Sequence, residues 1–315
     1  MSVDVSVIVP TRNRSALLLQ ALRSALRQRD VEVEVIVVDE GSTDDTPRAL
    51  EMVNDPRLRV IRHDVPVGVA RARNSAAEAA TGEWLAFLDD DDLWAPDKLA
   101  EQLTAARSAG ADWVFSGGVV IDENGAILRA QRPPDPDTTV RVVRQYNPIP
   151  GGASNVIVRR EAWSQVGAFD ARLRNTEDWE FYIRLARHAP PACVQAPAVA
   201  RRLHGNNSTL DIDEIMRGIR LIQQTHGGTP DWAVLHRWLA FSCLRAGRFW
   251  KGVGQFARAG WHGDKNVGAD LAWLVRARLG YQVKQTPAAE RDPWQAAAST
   301  WLADALVPVR VGERI

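Results

Sequence analysis

Four consecutive aspartates, Asp89 to Asp92, directly follow an apolar run that ends at Leu88. Crowded carboxylates repel one another and raise each other's pKa unless a cation neutralises them. Their hard oxygen atoms suit Mg²⁺ or Mn²⁺, ions that proteins often share with the phosphates of a substrate. The run therefore predicts a divalent cation that bridges a diphosphate. The alternative is a solvated acidic turn that caps the helix beginning at Pro96, because carboxylates also favour helix N-termini.

Two further segments carry polar groups that a phosphate-bearing ligand would need. Asp39 closes the apolar run Val33 to Val38, where a carboxylate can accept hydrogen bonds from a base edge or from ribose hydroxyls. A turn or capping residue explains Asp39 equally well. Gly68 opens a predicted helix that carries Arg71 and Arg73, whose guanidinium groups can meet phosphate or base oxygens. An ordinary exposed helix face is nearly as good an interpretation of that segment.

The elements that would position these residues alternate between strands and helices. The β-branched run Val5 to Val9 is too short for a helix and precedes the turn signal Pro10 to Asn13. The predicted order is strand 5–9, helix 15–28, strand 33–38, a helix start at 43–47, strand 58–61, helix 70–80 and strand 84–88. This order predicts an α/β fold with a mostly parallel, doubly wound sheet. Ligands of such sheets lie beyond the carboxyl ends of the strands, which is where Asp39 and Asp89 fall.

The rest of the chain is less regular. A short strand is predicted at 113–115, and the proline-rich stretch 132–150 is predicted to be an irregular active-site loop. Beyond His204, seven of the twelve tryptophans lie between Trp232 and Trp301, in segments with helical spacing. We therefore predict a catalytic domain over residues 1–210 and an α-helical C-terminal extension over residues 211–315.

In sequence order, these motifs resemble those of the family 2 glycosyltransferases, which have the GT-A fold. The matching segments are Pro10-Thr11-Arg12-Asn13, Asp39-Glu40-Gly41-Ser42, Gly68 to Asn74 and Leu88 to Trp94. The resemblance covers about residues 3 to 210. It departs from the family at Arg12, where an aromatic residue commonly stacks on the base, and at Glu40, which replaces the more usual aspartate. The resemblance implies a GT-A catalytic domain, with the preferred base left open.

The same resemblance implies a site for a nucleotide-sugar donor and a divalent metal. The residues expected around the nucleotide are Pro10, Thr11, Arg12, Asn13, Asp39, Arg71, Asp89 and Asp90, with Arg73 as the alternative to Arg71. The expected ligands of Mn²⁺ or Mg²⁺ are Asp91, Asp89 and His204. The histidine is included because one at this point of similar proteins contacts the metal or the diphosphate.

The segment Asn175 to Glu180 resembles the acidic segment in which the family's catalytic base lies. That similarity makes Asp178 the expected base and Glu177 the alternative. An inverting transfer needs a carboxylate within hydrogen-bond reach of the acceptor hydroxyl, on the face of the sugar opposite the leaving diphosphate. We therefore expect inversion at the anomeric carbon. A helix N-terminus decorated with acids is the competing interpretation.

Composition and charge indicate which classes of macromolecule the protein is expected to bind. The formal net charge is zero, so no global field attracts nucleic acid, and none is expected as a partner. No signal peptide is visible and no window approaches the roughly 18 to 20 apolar residues of a membrane span, which favours a cytoplasmic protein. A stripe with basic flanks favours either peripheral contact with the inner face of the plasma membrane or a helical hairpin packed on its neighbours. Its residues are Phe249, Trp250, Val253, Phe256 and Ala257.

Together, these features predict a metal-dependent, inverting glycosyltransferase. It would move a sugar from a nucleotide-diphosphate donor, foremost a UDP-sugar, to a hydroxyl of a glycan or lipid-linked glycan. A non-catalytic scaffold that binds sugar nucleotides is the alternative, and the intact acidic motifs argue against it. A nucleotidyltransferase would need a glycine-rich loop with a lysine after the first strand, and the sequence after Val9 has no such loop.

Overall fold

The computed structural model describes residues 3–205, 211–245, 247–268, 271 and 292–309. The chain forms two compact units. The first unit contains Met1–Val143, Pro148–Leu203 and Asp292–Ile315. The second unit contains Arg144–Asn147 and His204–Arg291.

The first unit is built on a mixed sheet. Its described strands are β1 (Val5–Thr11), β2 (Val33–Glu40), β3 (Leu58–His63), β4 (Trp84–Phe87), β5 (Leu93–Trp94), β6 (Trp113–Ile121), β7 (Ile127–Gln131), β8 (Ile157–Arg159) and β9 (Ala192–Arg202). Their order across the sheet is β3-β2-β1-β4-β8-β6-β9-β5, with β7 paired to β6. Strands β1 to β4, β6 and β9 run in one direction, and β5, β7 and β8 run in the other. Most of the sheet is therefore parallel in direction.

Helices flank this sheet on both faces. The described helices of the unit are α1 (Ser15–Leu26), α2 (Thr46–Glu51), α3 (Val69–Ala79), α4 (Lys98–Ala109), α5 (Pro136–Val142), α6 (Arg160–Val166) and α7 (Glu177–His188), with a short 3-10 helix at Gly152–Asn155. Every residue of β1 is buried. Val7 of β1 belongs to one apolar cluster with Leu18 and Leu22 of α1, while α3 lies against β1 and β2. Burial on both faces explains why β1 contains the run Val7 to Val9 instead of strictly alternating apolar and polar residues.

Glu34, near the amino end of β2, lies in a hydrogen-bonded pocket. Ser6 Oγ donates to Glu34 Oε1 at 2.6 Å, and the backbone N–H of Thr81 donates to the same oxygen at 2.6 Å. Thr81 Oγ1 adds a third bond at 2.7 Å, and Arg59 Nη1 donates to Oε2 at 3.2 Å. Burial acts to raise the pKa of Glu34, but these bonds outweigh it and hold the pKa below its ordinary value. This carboxylate joins β1, β2 and the turn before β4.

The predicted alternation of strands and helices up to β4 is confirmed. The interpretation of 132–150 as wholly irregular is wrong, because α5 lies inside it. The backbone N–H of Thr138 donates to Asp135 Oδ1 at 2.8 Å, and Pro136 occupies the first turn, where its missing N–H costs nothing. The strand predicted at 113–115 continues to Ile121.

The last described helix, α11 (Pro293–Ala305), belongs to the first unit. Its Ala298 and Leu302 form an apolar cluster with Val119 and Ala200 of the sheet. Gly117 of β6 makes room for this helix, since a Cβ there would lie 2.0 Å from the ring of Trp294. Apart from Arg144–Asn147, the described residues up to Leu203 belong to the first unit, and so do residues 292–309. This division differs from the predicted domains 1–210 and 211–315.

The second unit contains α8 (Ile212–His226), α9 (Trp232–Arg245) and α10 (Phe249–Trp261). Phe256 and Ala259 of α10 cluster with Ala240 of α9. Gly252 permits this approach, because a Cβ there would lie 3.1 Å from the carbonyl oxygen of Ala240. Within the described ranges, every helix is too short or too polar to cross a bilayer.

Candidate active site

Three neighbouring strands end at one edge of the sheet. Strand β1 lies between β2 and β4 and is parallel to both. Thr11 and Asp39 are partners in the β1–β2 register, and the run Asp89 to Asp92 follows β4 directly. The folding of the sheet therefore brings together three motifs that are far apart in sequence. Their position at the carboxyl ends of the strands is where open α/β sheets bind ligands.

Asp90 and Asp91 are buried and form ion pairs with the same arginine, Arg14. Arg14 Nη1 lies 2.8 Å from Asp90 Oδ1 and 2.8 Å from Asp91 Oδ2. Thr11 Oγ1 donates to Asp90 Oδ2 at 2.7 Å. Burial nevertheless raises the pKa of Asp90 to about 6, with Asp91 adding to the rise and Arg14 opposing it. At Asp90, burial therefore outweighs the stabilising effect of the Arg14 guanidinium.

Both carboxylate oxygens of Asp92 accept hydrogen bonds from other residues of the protein. Ser154 Oγ donates to Asp92 Oδ2 at 2.6 Å, and the backbone N–H of Arg202 donates to Oδ1 at 2.9 Å. Ser154 Oγ also accepts the backbone N–H of Asp89 at 3.0 Å. Burial, followed by repulsion from Asp91 and Asp89, raises the pKa of Asp92 well above its ordinary value. Asp92 thus fixes the acidic run to the 3-10 helix and to the end of β9.

A buried arginine joins the acidic run to the second acidic segment. Arg73 Nη2 donates to Asp89 Oδ1 at 2.6 Å, and Arg73 Nη1 donates to Glu177 Oε1 at 2.6 Å. Burial disfavours the charged guanidinium, but Asp89, Glu177 and Asp178 outweigh it and raise the pKa of Arg73. Arg71, two residues earlier on α3, is exposed. Of these two arginines, only Arg73 lies within the acidic cluster that the structure describes.

Three carboxylates of the run have the spacing of a metal site. Oxygen atoms of Asp89, Asp91 and Asp92 all lie within 4.8 Å of one another. Hard oxygen donors at this spacing fit Mg²⁺ or Mn²⁺. The side chain of Asp89 is 38% exposed, which leaves one side of the group open to a ligand. Each oxygen of Asp92 accepts a hydrogen bond from Ser154 or Arg202, whereas Asp89 and Asp91 are held by the guanidinium groups of Arg73 and Arg14.

Asp178 lies at the start of α7 and is half-buried. Its Oδ1 accepts the backbone N–H of Trp179 at 2.7 Å. Gly152, which has φ +59, lies close to the other oxygen, because a Cβ at this position would lie 3.1 Å from Asp178 Oδ2. Burial raises the pKa of Asp178, although Arg73 opposes the rise. A half-buried carboxylate with a raised pKa is suited to accept a proton.

Glu177 is more enclosed than Asp178. Burial raises its pKa to about 7, with Arg73 acting in the opposite direction and Asp178 adding to the rise. Its Oε2 is buried without a hydrogen-bond partner among the described residues, and so are Tyr182 Oη and Arg73 Nε. Unsatisfied buried polar atoms are rare in proteins and are often a mark of functional sites. A buried polar group inside the first unit is thus formed by Arg73, Glu177, Asp178 and Tyr182.

The loops after β1 and β2 fix each other. Asn13, which has φ +54, donates its backbone N–H to Ser42 Oγ at 2.9 Å. Asp39 Oδ1 accepts the backbone N–H of Ser42 at 2.9 Å. Glu40, where the sequence departs from the family, accepts the backbone N–H of Gly68 at 2.8 Å. Glu40 thus connects β2 to the start of α3.

The structure places most of the predicted residues at this edge. Pro10, Thr11, Asp39 and Asp90 are buried, whereas Arg12, Asn13 and Arg71 are exposed. The roles assigned to them in nucleotide binding stay predictions. His204 belongs to the second unit, and its role as a metal ligand also stays a prediction.

Sequence reasoning missed three contributors to the acidic run. Arg14 directly follows the segment Pro10 to Asn13. A basic residue so close to the end of β1 indicates a partner for the acidic run. Ser154 lies in a glycine-rich segment and gives a weaker signal. Arg202 holds Asp92 through its backbone N–H, which no side-chain pattern reveals.

Comparison with known proteins agrees with this geometry. The family model described as "Glycosyl transferase family 2" matches residues 6–167, just over half of the 315 residues. The chain belongs to this family. It is 35% identical over 193 residues to the succinoglycan biosynthesis protein ExoO of Rhizobium meliloti (strain 1021), covering 58% of this chain and 55% of ExoO.

A second relative has a more specific name. The chain is 29% identical over 123 residues to an Escherichia coli protein, the UDP-Glc:alpha-D-GlcNAc-diphosphoundecaprenol beta-1,3-glucosyltransferase WfgD. That match covers 39% of this chain and 49% of WfgD. The chain thus spans about half the length of these two relatives.

Solved structures with the same fold are also known. S. aureus TarS 1-349 in complex with UDP-GlcNAc superposes with a TM-score of 0.57 at 20% identity, covering 88% of each chain. The mannosyltransferase PcManGT of Pyrobaculum calidifontis, in complex with GDP-Man and Mn²⁺, gives a TM-score of 0.53 at 20% identity, covering 98% of this chain and 87% of that one. The predicted GT-A fold is confirmed.

Proposed function

We propose that this glycosyltransferase is a metal-dependent, inverting enzyme that transfers a sugar from a UDP-sugar to a hydroxyl of a glycan or lipid-linked glycan. The observation that carries the proposal is the bridge made by Arg73. Its two terminal nitrogens each lie 2.6 Å from a carboxylate, Asp89 of the acidic run on one side and Glu177 beside Asp178 on the other. A donor-binding group and a candidate base are thus parts of one polar network.

Asp178 is the better candidate for the base, and Glu177 has a positioning role. Glu177 is buried and engaged by Arg73, whereas Asp178 is half-buried and its Oδ2 lies beside Gly152. In the proposed reaction, the acceptor oxygen forms a bond to the anomeric carbon while the bond from that carbon to the diphosphate oxygen breaks. Asp178 takes the hydroxyl proton, and the nucleoside diphosphate leaves with the electron pair. Attack opposite the leaving group inverts the anomeric carbon.

Asp91 and Asp89 would hold the metal, and Asp92 would fix their position. When bound, a divalent cation supplies charge neutralisation to the leaving diphosphate. Arg14 and Thr11 hold Asp90 and Asp91 in place before any ligand arrives. Burial and mutual repulsion raise the pKa values of Asp90 and Asp92, and a cation beside the run would relieve that repulsion.

The donor and acceptor classes are supported by the relatives' own names. UDP-GlcNAc is bound in the TarS structure, and WfgD is named for UDP-Glc and a diphosphoundecaprenol-linked acceptor. GDP-Man in PcManGT makes a GDP-sugar the main competing donor. An acceptor carried on a membrane lipid would place the enzyme at the cytoplasmic face of the membrane.

The test is a panel of UDP- and GDP-sugars incubated with Mn²⁺, scored by release of the nucleoside diphosphate with and without a chelator. We expect chelator-sensitive release from one donor, and a loss of about 10² to 10⁴-fold in Asp178→Asn. Asp304→Asn, which changes an exposed aspartate of α11, is the matched control and should keep wild-type release. Binding of a donor without any turnover would support the non-catalytic scaffold instead. Proton NMR of the product reads the anomeric configuration, and retention would disprove inversion.

A further inference from the structure

Helix α10 presents two tryptophans to solvent. Trp250 is 81% exposed and Trp261 is 88% exposed, the highest values among the large apolar side chains of the described residues. Large aromatic side chains are normally buried for most of their area, and exposed ones often mark a binding surface. These two residues therefore need an explanation beyond packing.

The two tryptophans lie on the side of α10 that faces away from its packed side. They are eleven positions apart in sequence, so helical geometry places them about 20° apart around the helix and about 16 Å apart along it. The buried residues of α10, Gly252, Gln255, Phe256 and Ala259, lie roughly on the opposite side. The predicted stripe is thus divided, since Phe256 packs inside the unit while Trp250 points outward.

The surroundings of the tryptophans are small and basic. Gly254 and Ala257, which lie between them on the same side, are exposed. Arg248, Lys251 and Arg258 are exposed as well, and α10 contains no acidic residue. Lys251 and Arg258 lie about 80° to 100° around the helix from Trp250, on one flank of the aromatic stripe. The helix therefore has an aromatic stripe, a cationic flank and a packed face.

We propose that the exposed side of α10 binds the surface of an anionic phospholipid bilayer. Tryptophan favours the membrane–water interface, because its ring is apolar and its N–H can meet headgroups. Lysine and arginine beside the stripe match the charge of anionic headgroups. A helix with this division lies in the plane of the interface. This partner goes beyond sugar transfer, and its binding does not require catalysis.

Flotation of the full chain with vesicles tests this surface. One set of vesicles contains phosphatidylcholine alone, and the other also contains phosphatidylglycerol. We expect the wild type to float with the anionic vesicles and to be released by high salt. Trp250→Ser combined with Trp261→Ser should weaken the partition coefficient at least about 10-fold. Lys251→Gln combined with Arg258→Gln should remove most of the preference for anionic over neutral vesicles.

The matched control is Arg27→Gln combined with Arg107→Gln, which removes the same charge from exposed positions of the first unit. It should float like the wild type. Thermal melting and donor turnover establish that each variant is folded. Equal flotation of the wild type and the tryptophan variant would overturn the proposal, as would loss of flotation in the control alone. A concentration-dependent dimer that only the tryptophan substitutions abolish would make this side a self-interface and would also overturn it. Flotation is scored without any sugar nucleotide, so its failure leaves the proposed transferase activity untouched.

Discussion

Glu34 and three carboxylates of the acidic run, Asp90 to Asp92, are buried near opposite ends of neighbouring parallel strands. Glu34, near the amino end of β2, accepts three hydrogen bonds at Oε1, and its pKa lies below the ordinary value. Asp90 and Asp92, beyond the carboxyl end of β4, have pKa values that burial raises. The same type of residue is thus stabilised as an anion at one end and destabilised as an anion at the other.

The difference lies in the balance of donors and charges. Glu34 is a single carboxylate that hydroxyl, amide and guanidinium donors surround. The acidic run places four carboxylates side by side, with Arg14 and Arg73 bonded to carboxylate oxygens and Arg202 Nε donating to the backbone carbonyl of Asp91. Buried, mutually repelling carboxylates with raised pKa values are typical of functional sites. We therefore assign Glu34 to the stability of the fold and propose that the run serves the function.

The largest effect is expected for Asp91→Asn. Loss of a metal ligand removes several kcal/mol of transition-state stabilisation, so donor turnover should fall about 10³-fold. The free energy of unfolding should change by less than about 1 kcal/mol, because the substitution also relieves repulsion between carboxylates. Turnover assays and chemical denaturation measure the two quantities. Wild-type turnover in this variant would end the assignment of the run to function.

A smaller loss is expected for Arg73→Lys. Lysine keeps the charge but cannot donate to Asp89 and Glu177 at once from a rigid fork. We expect kcat to fall about 10²-fold, with a shifted pH profile because the cation beside Asp178 moves. Arg71→Lys is the matched change on the same helix and should cost less, since Arg71 is exposed. The reverse order of the two losses would contradict the bridging role of Arg73.

Glu34→Gln should separate stability from function. The amide nitrogen must face either the donors Ser6 and Thr81 or the guanidinium of Arg59, so at least one of these hydrogen bonds is lost. We expect the free energy of unfolding to fall by about 2 kcal/mol. Turnover at a temperature where the variant is folded should equal that of the wild type. A loss of turnover without a loss of stability would remove the contrast between the two ends of the sheet.

The smallest expected effect is on folding stability, to which Glu177 and Glu34 contribute with opposite dependence on pH. The folded-state pKa of Glu177 is raised to about 7, so between pH 5 and 7 the folded chain binds more protons than the unfolded chain. Metal-free stability should therefore rise as pH falls from 8 to 5.5, by about 2 to 4 °C in Tm. Glu34 has a lowered pKa, so its contribution is present above the ordinary pKa and is lost as pH falls further. Calorimetry of wild type and Glu177→Gln checks this, and an unchanged slope in the variant would contradict it.

Much of the first unit could be predicted, because its strands are unbroken apolar runs bounded by turn residues. β1 and β2 were predicted to begin where they do, at Val5 and Val33. The prolines around α5 favour a loop in the sequence, whereas in the structure Asp135 and Pro136 begin a helix. Packing of α11 against the sheet depends on the missing side chain of Gly117, which leaves room for the ring of Trp294. This contact is defined by tertiary structure and has no local sequence pattern.

The candidate site was predictable where motifs carry charge. Asp89 and Asp91 are predicted from their type and their position after a strand, and Asp178 and Glu177 from the resemblance to the family. The choice between Arg71 and Arg73 needed the orientation of α3, and the sequence leaves both open. Contacts from Arg14 and Ser154 depend on how separate loops meet at the edge of the sheet. Sequence patterns therefore identified the charges but not their partners.

The most direct measurement is a calorimetric titration of Mn²⁺ into the chain in the presence of UDP, for wild type, Asp91→Asn and Glu34→Gln. If the acidic run is the metal site, the wild type and Glu34→Gln will bind Mn²⁺ with the same affinity, and Asp91→Asn will bind it at least about 10-fold more weakly. Equal binding by all three proteins, or no binding by the wild type, would contradict the assignment of the carboxyl edge of the sheet to metal and diphosphate.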